Sequence, residues 1–136
     1  MNFNKDIQNL CTKYVEGKKA EKDLYNYINI FDRDLHLYIR NLIKLCIIKS
    51  IINFMNCKLD KIFIDFTTIK IENENYIYIP VIKNTSDNER KNILIHIIDN
   101  DLLLIIDEIK DFFNSIVRIE LISIYNYEFR LKFYKK

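Results

Sequence analysis

The sequence predicts an α+β fold, with helices in the N-terminal part, then a mostly antiparallel sheet with one amphipathic helix between its strands, and a β-hairpin at the end. Three observations predict it. Apolar residues recur at helical spacing up to about residue 57. From residue 61 they alternate instead, in a run rich in β-branched side chains. The segments VRIELISI (117–124) and EFRLKFYK (128–135) align as a hairpin with one apolar and one charged face. The chain has 136 residues and shows no internal repeat or Ser/Gly/Pro-rich linker, so one domain over 1–136 is the simplest division. Its helical part covers about 1–58 and its strand-rich part about 60–136.

The first helix is expected over 3–16, where Phe3, Ile7, Leu10 and Tyr14 share a face, and Gly17 suits its C-terminal stop. A second covers 20–30. A third runs from about 34 to 57, with Asp32 or Asp34 as its cap. Its segment NLIKLCIIKSIINF (41–54) is too apolar for an ordinary surface helix, and Lys44 and Lys49 interrupt it too soon for a membrane span. Apolar residues spread around most of its circumference, which points to a central, covered helix. The alternative is that one flank, Ile43, Ile47, Ile48 and Ile51, meets a protein partner, which could be a second copy of the chain.

KIFIDFTTIK (61–70) reads as a strand with Ile62, Ile64 and Phe66 inward. ENEN (72–75) reads as a turn and YIYIPVIK (76–83) as an antiparallel return strand, placing Phe66 opposite Val81 and Thr68 opposite Ile79. Pro80 belongs at an edge or a bulge. NTSDNER (84–90) is a loop or, through the capping-box spacing of Ser86 and Glu89, the start of a helix. The Ile run in ILIHII (93–98) favours a strand over a helix. After Asp99-Asn100-Asp101, residues Leu102, Ile105, Ile109, Phe112 and Ile116 form a helical stripe, with Asp107, Glu108 and Asp111 on a solvated face. In the final hairpin a three-residue loop, 125–127, sets Ile119 against Phe133, Glu120 against Lys132 and Leu121 against Leu131.

Composition narrows the chemistry. The hydrophobic share is 49% and the charged share 29%, a globular balance. The excess of Ile, Asn, Lys, Tyr and Phe fits an AT-rich genome. One Gly (Gly17) cannot build a phosphate-cradling loop, so nucleotide binding by the common routes and a bound cofactor are not expected. Net charge is +2, a weak basic excess for a protein that lives on nucleic acid. Cys11, Cys46 and Cys57 read as free thiols, and no signal peptide is evident, so a cytoplasmic protein is expected. His36 and His96 stand at no metal-ligand spacing, and no metal site is expected.

The C-terminal strand interleaves aromatics with cations. Arg118, Arg130, Lys132, Tyr134 and Lys136 could meet an acidic protein partner or a nucleic acid, whereas the plain reading is an edge strand protected by charge. Arg90 and His96 have an R-x5-H spacing that resembles the HEPN class of all-helical ribonucleases, against which the neighbouring strands speak. The leading expectation is a small non-catalytic protein-binding module, of the inhibitor, immunity or adaptor kind, acting by occupying a partner's surface. A nucleic-acid-binding accessory protein is the alternative, and a small metal-independent ribonuclease the next.

Overall fold

The helices and strands are those of a computed structural model, which describes residues 35–68, 75–77, 85–125 and 127–136. In chain order they are α1 (Leu35–Met55), β1 (Lys61–Thr67), β2 (Asn75–Tyr76), α2 (Asp87–Asn100), α3 (Leu102–Phe113), β3 (Val117–Tyr125) and β4 (Glu128–Lys135). The strands form one mixed, mostly antiparallel sheet in the order β2-β1-β4-β3, closed by the β3–β4 hairpin. The fold is α+β. The helices expected at 3–16 and 20–30, the caps Asp32 and Asp34, and the pairings to Ile79 and Val81 lie outside the described residues, as does Pro80.

The apolar circumference of α1 has a direct consequence. A helix without a polar face must be covered on all sides, and α1 packs on α2, α3 and β4. Ile43, Ile47, Ile48 and Ile51 are each 0% exposed. That corrects the expectation of an open flank for a partner: these four side chains belong to the core, together with Phe66, Ile97, Ile105 and Phe133.

Alternation along the strands aims Phe66, Ile119, Phe129, Leu131 and Phe133 at that core. Phe66 and Phe129 face each other across β1 and β4 with rings stacked 4.8 Å apart, and Phe54 of α1 meets Phe133 at 5.8 Å. The hairpin register is the expected one at Ile119–Phe133, Glu120–Lys132 and Leu121–Leu131. A bulge at Ile122 then shifts it by one, so Tyr125 pairs with Glu128 and the strands run closer to the turn than expected. Tyr127 takes the left-handed conformation there, with φ 62°.

Three other expectations are corrected. Asn75 and Tyr76 pair with β1 in parallel, at Phe66 and Thr67, not as an antiparallel return strand. The C-terminal strand is interior, between β1 and β3, and β3 is the outermost strand among the described residues. Residues 93–98 are helical. Ser86 caps α2 by accepting the Glu89 backbone N–H at 3.1 Å, and Leu94, Ile97 and Ile98 then fall on one buried stripe. Helical spacing and the cap outweigh the β preference of the Ile run. Asp101 joins α2 to α3, donating its N–H to the Ile97 carbonyl and accepting from Ile105.

Candidate interaction surface

One face of the sheet packs on α1, and the other carries the charged side chains that alternation turns outward. Three rungs cross β1, β4 and β3: Lys61–Tyr134–Arg118, Phe63–Lys132–Glu120 and Asp65–Arg130–Ser123. Contacts tie the rungs together. The Arg130 guanidinium donates twice to Asp65, at 2.7 and 3.0 Å. The Lys132 ammonium lies between two rings, 4.8 Å from the Phe63 centroid and 4.6 Å from that of Tyr134. Arg118 stands over the Tyr134 ring at 5.4 Å and donates to Glu120 at 2.6 Å, while the Tyr134 hydroxyl donates to the other Glu120 oxygen at 3.2 Å. Phe63 remains 53% exposed, a large ring left in water. The Arg130 hydrogen bonds hold the Asp65 carboxyl below the usual carboxylate range, and the same pair raises Arg130.

Four of the residues singled out in the sequence, Arg118, Arg130, Lys132 and Tyr134, thus share one face. Lys136 does not join them. Its ammonium turns to the carbonyl and side chain of Asn114 at the end of α3. The sequence pattern places Phe63 and Asp65 outward, but nothing local says that β1 lies beside β4.

A second polar group sits at the helix junction. Glu108 of α3 accepts from Arg40 at 2.7 Å and from Lys44 at 2.8 Å. Lys44 is 2% exposed, and its ammonium also lies 5.3 Å from the Phe112 ring centroid. Burial lowers the Lys44 pKa against the pull of Glu108. Burial pushes Glu108 up, but the bonds from Lys44 and Arg40 outweigh it and hold the carboxyl below its ordinary value. Glu108 is therefore no member of a solvated face, which corrects the sequence reading. Nearby, His36 lies 3.8 Å from Asp101 and edge-on to His96 at 6.1 Å.

Arg90 and His96 are not brought to one site. Arg90 is buried, donating to the Thr85 carbonyl and hydroxyl and to Asp87. His96 is exposed and pairs with Asn100. Six residues of helix put them about 9 Å apart along the axis and on different sides. Cys46 lies beside the Tyr76 carbonyl, and burial pushes its thiol up to about 11. Among the described residues no helix is long and apolar enough to cross a membrane, and no three His, Cys, Asp or Glu gather in a metal-binding group. No family model matches the chain, and neither a curated protein nor a solved structure is detectably similar to it.

Proposed function

We propose that the protein is a non-catalytic binding module whose open sheet face docks on another protein. The observation that carries this reading is the Phe63–Lys132–Tyr134 row, with Phe63 exposed and Lys132 and Tyr134 half-buried beside it, held in place by the flanking Asp65–Arg130 and Arg118–Glu120 pairs. Aromatic and Arg side chains supply most of the energy of protein interfaces. Here they are fixed before binding, which lowers the entropy lost on association. The face holds four cations and two carboxylates, so it fits a protein surface of mixed, slightly acidic character. A nucleic-acid surface is favoured less. Both of its guanidinium groups already pair with carboxylates and have less to offer phosphates.

The test compares affinity capture by the wild-type protein with capture by Phe63→Ala/Lys132→Glu and by a control variant on α3, Leu103→Ser, whose side chain is exposed elsewhere. A specific protein retained by wild type and control at moderate salt, and lost with the double variant, supports the reading. Retention by all three overturns it. Single-stranded oligonucleotides measured in parallel by fluorescence anisotropy decide the alternative: affinity that falls steeply with salt moves the face to nucleic acid.

A further inference from the structure

We infer that the protein on which the open sheet face docks is a second copy of the chain, and that this copy offers the exposed stripe of α3. The inference rests on the reading of the face as a protein-docking surface and supplies its partner. The face leaves a specific charge uncovered. Its carboxylates, Asp65 and Glu120, are taken by Arg130 and Arg118. Among the described residues Lys61 and Lys132 have no carboxylate partner, and both flank Phe63. Lys132 stands opposite Phe63 on β4, and Lys61 lies two positions before it on β1, about 7 Å away. A partner that fits this arrangement brings an apolar side chain to Phe63 and carboxylates to the two ammonium groups beside it.

α3 carries that combination on its outer side. Its buried residues include Leu102, Ile105, Ile106 and Ile109, whereas Leu103, Leu104, Asp107 and Asp111 are exposed on an arc of about 100°. Leu103 and Leu104 are 62% and 58% exposed, the two most exposed aliphatic side chains described. The Asp107 side chain is 70% exposed and reaches Lys110 only at 4.0 Å, and Asp111 has no ion pair among the described residues. Asp107 lies one turn beyond Leu103, about 6 Å along the axis. That step is close to the one from Phe63 to Lys61, so α3 laid along β1 sets its leucines on Phe63 and its carboxylates within reach of Lys61 and Lys132. Counting Lys110, the stripe has an excess of one negative charge, against an excess of two positive charges on the sheet face. The sheet face looks away from the helices, and the stripe looks away from the core on which α3 packs, so one chain cannot close the contact on itself. The contact is head to tail. Each copy keeps a face and a stripe for further copies, and association grows with concentration unless the rotation closes a ring.

The test is absolute mass by size exclusion with light scattering across a concentration series, with far-UV circular dichroism to confirm that each variant folds. Wild type should exceed the 16.5 kDa of one chain and grow with concentration. Lys61→Glu/Lys132→Glu and Asp107→Lys/Asp111→Lys each set like charges together and should weaken association at least about tenfold. An equimolar mixture of the two variants brings opposite charges together again at every contact and should associate as wild type does. A merely destabilising substitution would not be rescued by the other chain. A wild type that stays monomeric throughout overturns the inference, and the capture comparison above then decides the reading of the face by itself. Association lost in the sheet variant but kept in the α3 variant also overturns it, and so does a mixture that stays monomeric.

Discussion

Replacing Glu108 with Gln keeps the size of the side chain and removes its charge from beside Lys44 and Arg40. Breaking a fully buried ion pair costs about 3–5 kcal/mol. Here only the Lys44 side is dry: its side chain is 3% exposed, whereas that of Glu108 is 34% exposed. Water therefore screens part of the interaction, and roughly 2 kcal/mol is the expected loss. For a urea dependence of about 2 kcal/mol/M, the unfolding midpoint falls by about 1 M. Urea unfolding followed by circular dichroism measures this directly. Asp107→Asn is the control, because that carboxylate is 70% exposed and 4.0 Å from Lys110, and it should change stability by less than about 0.5 kcal/mol. Adding Lys44→Met to Glu108→Gln removes the buried ammonium that has lost its carboxylate and should recover at least half of the loss. The pH dependence has a definite sign. Glu108 lies below its ordinary 4.5 in the folded protein, so its contribution is present above pH 4.5 and disappears as the pH falls through the folded value. Lys44 lies below 10.5 when folded, so the unfolded chain binds more protons in that window and stability rises with pH towards 10.5. The gap between wild type and Glu108→Gln should therefore narrow on both sides of neutrality. A Glu108→Gln midpoint equal to that of Asp107→Asn, or no recovery with Lys44→Met, would refute the reasoning.

Three further outcomes are expected. Phe66→Ala removes a fully buried ring stacked on Phe129 and should cost about 3–5 kcal/mol in the same urea assay, far more than Phe63→Ala on the open face. Ser86→Ala deletes the side-chain acceptor for the Glu89 N–H and should cost about 1 kcal/mol, with early amides of α2 exchanging faster by hydrogen-exchange NMR. In a chain carrying Cys11→Ser and Cys57→Ser, the remaining Cys46, with its thiol at about 11, should react with Ellman's reagent at pH 8 about 100-fold more slowly than free cysteine, and equal rates would contradict its burial.

Local patterns made much of the fold readable in the sequence. The hairpin pairing follows from alternation on two neighbouring strands, and Ile119–Phe133 and Leu121–Leu131 pair as that pattern requires. The bulge at Ile122 has no such signature, because the shift depends on how the strands close around Tyr127. At 93–98 two local signals compete. The β-branched run suggests a strand, yet Leu94, Ile97 and Ile98 keep helical spacing behind a Ser86 cap, and burial against α1 and α3 decides. The parallel pairing of Asn75 with Phe66 and the partnership of Glu108 with Lys44 are set by contacts between distant segments, and no short window contains them. The proposed interaction face was half readable for the same reason. Arg118, Arg130 and Lys132 share a hairpin, whereas Phe63 and Asp65 reach them only through the β1–β4 pairing.

That pairing also bears on how the chain is made. Asp65 and Arg130 bond across a sequence separation of 65 positions. At ribosomal speeds of about 5–20 residues per second, β4 follows β1 by roughly 3–13 s. During that interval the apolar circumference of α1 and the length of β1 exist without the strand that completes their core. The nascent chain is then at its most adhesive, and the hairpin must form and insert as a unit beside a strand that has been waiting for it. Successful production of this protein thus depends on the last strand arriving before the first finds another partner.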